Sequence, residues 1–90
     1  MTLYVISYDK HHDRDDAPVR TLLRGWGAVR ILDAVWLLSS LEKATSIRNA
    51  IHQATHWEDS IFVIEVYNNS AWATVDVQTE GMNWLKWNVP

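Results

Sequence analysis

Ninety residues make one small domain, a size at which folding buries only about 60–65% of the unfolded surface and stability is marginal. A formal charge of −3 argues against a strongly basic nucleic-acid binder, and the absence of cysteine excludes disulfides, thiolate zinc sites and cysteine nucleophiles. With 48% hydrophobic residues and 6 Trp, the chain holds more apolar material than one small core needs, and the surplus predicts a homodimer interface, a Trp-rich monomeric core being the plainer alternative.

No apolar run approaches the roughly 20 residues that span a bilayer, and no signal peptide is visible. A cytoplasmic protein with no membrane partner is expected.

The chain opens with an apolar, β-prone run over residues 3–8 that ends on Asp9 and meets a very polar loop, Lys10 to Asp16. Asp15 or Asp16 is placed to cap a helix, and Pro18 suits its first turn. Val19, Leu22, Leu23 and Trp26 then fall at i, i+3, i+4 and i+7, one apolar stripe. Arg20 and Arg24 lie four apart on the outer side of that stripe, and Gly25 and Gly27 bracket the helix end.

Residues 28–31 and 34–38 read as the second and third strands, joined by a tight turn near Leu32 and Asp33. Helical periodicity resumes between about Leu41 and Ala54, with Ala44, Ile47, Ala50, Ile51 and Ala54 on one side. Ser39 and Glu42 have capping-box spacing, and a later start near Lys43 is an equal alternative. Residues 61–66 form a fourth apolar strand, interrupted only by Glu65, and Asn68, Asn69 and Ser70 signal a turn. Residues 72–77 suit a fifth strand, and residues 80–87 a short helical tail.

The order is β-α-β-β-α-β with an appendage over residues 67–90. It predicts one ferredoxin-like α+β domain over residues 1–90: a four-stranded antiparallel sheet with two helices on one face. The first, third and fourth strands are apolar on both faces, so the appendage or a second subunit must cover the other side.

Tyr4 to Asp9, the Ala34-Val35-Trp36 triplet, Asp59 before the fourth strand, and Trp84-Leu85-Lys86 together resemble a known family. They are similar to the small CRISPR-associated adaptation protein called "Cas two" and to VapD-like toxins, and closer still to small proteins labelled SinR-like. Nothing reads as a helix-turn-helix. The resemblance implies a ferredoxin-like homodimer in which the acid ending the first strand, here Asp9, holds Mg²⁺ or Mn²⁺ near the twofold. Such an ion keeps several waters and turns one into a nucleophile beside a phosphate. The family tends to carry a polar residue where Ala34 stands, and more basic residues for duplex DNA.

Each candidate also has a plainer role. Asp9 suits an Asx-type turn as well as a metal. His11, His12 and Asp13 lack a spacing that would converge them on an ion and read as a solvated loop. Arg14, Arg20, Arg24 and Arg30 are the basic concentration; they suit phosphate contact or ion pairs with Asp13, Asp15 and Asp16. Trp36 suits base stacking, but more naturally the core or a dimer interface. His52 and His56 are placed to cap the second helix. Trp72, Trp84 and Trp87 are expected to bind the tail to the sheet or to a partner subunit, the last two from one helical face.

Two functions follow. One is a metal-dependent endonuclease hydrolysing RNA or DNA, with Asp9 catalytic and metal-binding and Arg14, Arg20 and Arg24 on nucleic acid. The other is a noncatalytic homodimeric module that binds nucleic acid or protein. No small-molecule cofactor is indicated.

Overall fold

Alternation along the first strand sets the layers. In the computed structural model, which describes residues 1–9, 15–55 and 58–90, β1 runs Thr2–Asp9 and buries Tyr4, Ile6 and Tyr8 on one face. Leu3, Val5 and Ser7, pointing the other way as a two-residue period requires, are half-buried. The other elements are α1 (Ala17–Gly25), β2 (Val29–Leu32), β3 (Val35–Ser40), α2 (Ala44–Ala54), β4 (Ser60–Val66) and α3 (Thr79–Asn88).

The four strands form one sheet in the order β2-β3-β1-β4, with every neighbouring pair antiparallel. Ile6 faces Trp36 across β1 and β3, and Val5 faces Ile64 across β1 and β4. The β2–β3 ladder shifts register between Arg30 and Leu32. This α+β arrangement, a four-stranded antiparallel sheet with three helices, is consistent with the expected ferredoxin-like type.

One core lies under α1 and α2. Val19 and Leu23 from α1, with Ile47 and Ile51 from α2, pack on Tyr4, Ile6, Trp36 and Leu38 of the sheet. α1 stops where its sequence says. Gly27 adopts φ 81, the Gly27 N–H bonds the Arg24 carbonyl, and the Ala28 N–H bonds that of Leu23. Those bonds are the Schellman pattern, which a residue with a Cβ enters only with strain. α2 begins at Ala44, the later of the two alternatives. β3 continues through Ser40, with Ser39 paired to Leu3, so no capping box forms there. Instead the Glu42 N–H donates to the Ser40 hydroxyl at 3.0 Å.

The second face has its own core, made by Ile31 and Leu37 of the sheet with Leu85 and Val89 of the tail. Gly81 opens the docking side of α3, where an added Cβ would sit 2.5 Å from the Ile31 Cβ. The seam is therefore Gly81, Leu85 and Val89, at i, i+4 and i+8, with Trp84 partly buried beside it. Trp87, expected to share the docking face with Trp84, is 86% exposed and does not fasten the tail to the sheet. It sits two positions past Leu85, a turn of about 200° around the helix.

The fifth strand expected over residues 72–77 does not form; that stretch is irregular, with Asp76 at φ 55. Its contacts go to α3 instead. The Trp72 indole N–H donates to the Val89 carbonyl, and the Thr74 hydroxyl lies 3.7 Å from the Met82 sulfur. Among the described residues, no helix is long and apolar enough to cross a membrane.

Candidate functional site

Where β1 ends, its alternation turns Tyr8 inward to the α1–α2 core and leaves Asp9 exposed, in register with Ser60 of β4. An open cleft of about 500 Å³ lies there, lined by Tyr8, Asp9, Asp16, Arg30, Asp33 and Ala34.

Asp16, just before α1, organises the cleft wall. Its carboxylate accepts the Tyr8 hydroxyl at 2.9 Å and lies 3.1 Å from Arg20 Nε and 4.0 Å from Arg30. The Arg20 contact is an ion pair that is off-line for a hydrogen bond. Burial, then the hydrogen bond to Asp16 and its negative charge, push the Tyr8 phenol above its ordinary range. The Trp36 indole N–H and Arg30 pull the other way. That indole N–H is buried without a well-formed hydrogen bond, so its pull is the weaker. Tyr8 is thus held as the neutral donor, unsuited to act as a nucleophile near neutral pH.

Trp36 is fully buried in β3, which settles its core role and removes it as a platform for a nucleic-acid base. Two guanidinium groups lie over its ring, Arg24 at 4.8 Å and Arg30 at 5.5 Å from the centroid, within cation–π range. Arg30 reaches that position because it faces Trp36 across the β2–β3 ladder.

Arg24 forms a two-pronged pair with Glu80 of α3, both contacts at 2.8 Å. The Glu80 carboxylate also accepts the Arg30 backbone N–H at 2.9 Å. The Arg24 hydrogen bond, aided by that backbone N–H and by the nearby positive charges, lowers the Glu80 pKa against the opposing effect of burial. Glu80 has no sequence signal as a partner, because it stands 56 residues from Arg24.

Arg20 and Arg24, two of the expected phosphate contacts, are thus engaged with carboxylates of their own chain. Arg20 pairs with Asp15 and Asp16, as the plainer reading had it. Arg24 pairs instead with Glu80. Arg14, with His11, His12, Asp13 and His56, lies outside the described residues. The end of α2 is capped by Thr55, whose N–H and hydroxyl bond the His52 carbonyl.

Asp9, Asp16 and Asp33 all border the cleft. Even so, no group of three or more His, Cys, Asp or Glu among the described residues converges to hold a metal ion. No family model, curated protein or solved structure matches the chain.

Proposed function

We propose that this chain is a noncatalytic homodimeric binding module on a ferredoxin-like scaffold, related to the CRISPR adaptation-protein-like, VapD-like and SinR-like proteins. The observation that carries the reading is the incomplete cover of the second sheet face. α3 packs on β2 and β3 and leaves the β4 side open, with Phe62 56% and Ile64 46% exposed beside half-buried Val5 and Leu3. A contiguous apolar strip of this kind marks an interaction surface, and a second copy is the simplest cover. The internal pairing of Arg20 and Arg24 supports a binding role over phosphodiester chemistry. A cytoplasmic location goes with this reading. Sedimentation velocity over a range of protein concentrations tests it: a dimer is expected, and a monomer at every concentration overturns the proposal.

The second reading is a metal-dependent endonuclease acting on RNA or DNA, and what favours it is the exposed Asp9 carboxylate at the cleft mouth. The described residues include no group of three or more candidate ligands for Mg²⁺ or Mn²⁺, so in this reading Asp9 from two copies shares the ion, with Arg14 left to meet phosphate. Cleavage of RNA or DNA that requires Mn²⁺ and is abolished by Asp9→Asn would establish it.

A further inference from the structure

The two edges of the sheet are treated very differently. At the β2 edge, the Ile31 carbonyl accepts the Gln78 N–H at 3.0 Å, and Glu80 takes the Arg30 N–H at 2.9 Å. The strand also carries a register shift. Those are the devices by which proteins blunt an exposed edge.

β4 has none of them. It pairs with β1 without a register shift over seven residues and contains no Pro, Gly, Lys or Arg, its single charge being Glu65. Among the described residues, none of its backbone groups bonds outside the sheet. A regular apolar edge left in this state is a template for another strand.

We infer that two copies of this chain pair through their β4 strands, antiparallel about a twofold axis at Val63, to make one continuous sheet. The inference rests on the homodimer reading above and specifies its geometry. A twofold normal to the sheet keeps each face continuous, and a centre at Val63 pairs the whole of β4. Phe62 then faces Ile64 of the partner subunit and the reverse, an aromatic–β-branched pair made twice. Glu65 faces Ile61 of the partner subunit, so no like charges oppose. Moving the centre by one residue in either direction shortens the overlap. The apolar strips of the two copies join across the axis. The outer edges of the assembly are then two sealed β2 strands, so association closes at the dimer and does not propagate as a fibre.

This arrangement has a consequence for Asp9. It lies beside Ser60, at one end of β4, and the twofold carries its copy to the opposite end. By strand rise and spacing, the two Asp9 residues stand roughly 25 Å apart, too far to share an ion.

The chain has no cysteine, so Val63→Cys can be oxidised in it without background. A directly opposed cross-strand pair brings its Cβ atoms to about 4.5 Å at closest approach, the upper end of the separation a disulfide bridges. Ile61→Cys, on the same face but four residues from its copy in this register, is the control. The expected result is an intermolecular disulfide for Val63→Cys and none for Ile61→Cys. A dimer by sedimentation in which Val63→Cys stays reduced overturns the β4 pairing and leaves the homodimer standing. A monomer throughout overturns both. If Val63→Cys fails to fold, hydrogen exchange on the native chain decides: β4 amides protected at high concentration and exposed on dilution support the pairing. Unchanged exchange there in a proven dimer overturns it.

Discussion

Glu80, in the first turn of α3, grips Arg24 of α1 through both carboxylate oxygens, each 2.8 Å from a guanidinium nitrogen. The two helices pack on opposite faces of the sheet, and the contact passes around the β2 edge, where Glu80 also takes the Arg30 N–H. The tail is thereby fastened to the helical layer as well as to the sheet. Both partners are more than a third exposed, so solvent screening limits the pair to about 0.5–1 kcal/mol.

Glu80→Gln is expected to lower stability by about that amount at pH 7 and to remove part of the acid sensitivity. The folded-state pKa of Glu80 lies below its ordinary value of 4.5. Its contribution is therefore fully present above that value and is lost as the pH falls through the lower, folded-state value. Urea unfolding of both forms at pH 7 and pH 3 should show a smaller difference in acid. An unchanged or larger difference at pH 3 would contradict the assigned role.

Gly81→Ala pits helix propensity against packing. Alanine favours a helix by up to about 1 kcal/mol, but its Cβ would fall 2.5 Å from Ile31 Cβ on the sheet. Overpacking of that kind costs typically about 1–3 kcal/mol. A lower Tm is expected, with altered fluorescence from Trp84, which packs beside this seam. A rise in Tm would mean that α3 does not sit this close.

Tyr8→Phe removes the hydroxyl bond to the Asp16 carboxylate and should cost about 1.5–3 kcal/mol, the usual range for a hydrogen bond to a charged group. The raised pKa of Tyr8 means that its contribution is complete below the ordinary tyrosine value of 10 and disappears as the pH rises through the folded-state value. Ultraviolet titration should find one late-titrating tyrosine fewer in the variant, and its stability should fall less steeply in alkali.

Ile64→Lys places a charge on the open strip and in the proposed Phe62 cross-strand pair. Ile64 is partly solvent-exposed in the single chain, so the monomer fold should survive, with unchanged circular dichroism and a shift from dimer to monomer in sedimentation. A variant that remains dimeric would remove β4 from the interface.

Periodicity located the elements because it reports burial directly. The four strands lie within two residues of their expected bounds, since each residue's face is set by its neighbours two places away. The stripe of Val19, Leu22, Leu23 and Trp26 likewise marked α1 down to its glycine stop. Residues 72–77 have the composition of a strand but join neither edge of the sheet. Their side chains went to α3, a choice that composition does not encode.

The candidate site divides in the same way. Asp9 at the end of β1, the Arg20 pairing with Asp15 and Asp16, and Trp36 in the core all rest on local pattern, and sequence alone placed them. The Glu80–Arg24 clasp, the Gly81 approach to Ile31 and the open strip at Phe62 and Ile64 depend on where α3 comes to rest. Its landing on β2 and β3 is set by a glycine meeting an isoleucine fifty residues away, and no periodicity within the helix carries that information. Local hydrophobic spacing determined which segments are strands and helices; long-range packing alone decided which face and which edge stayed open.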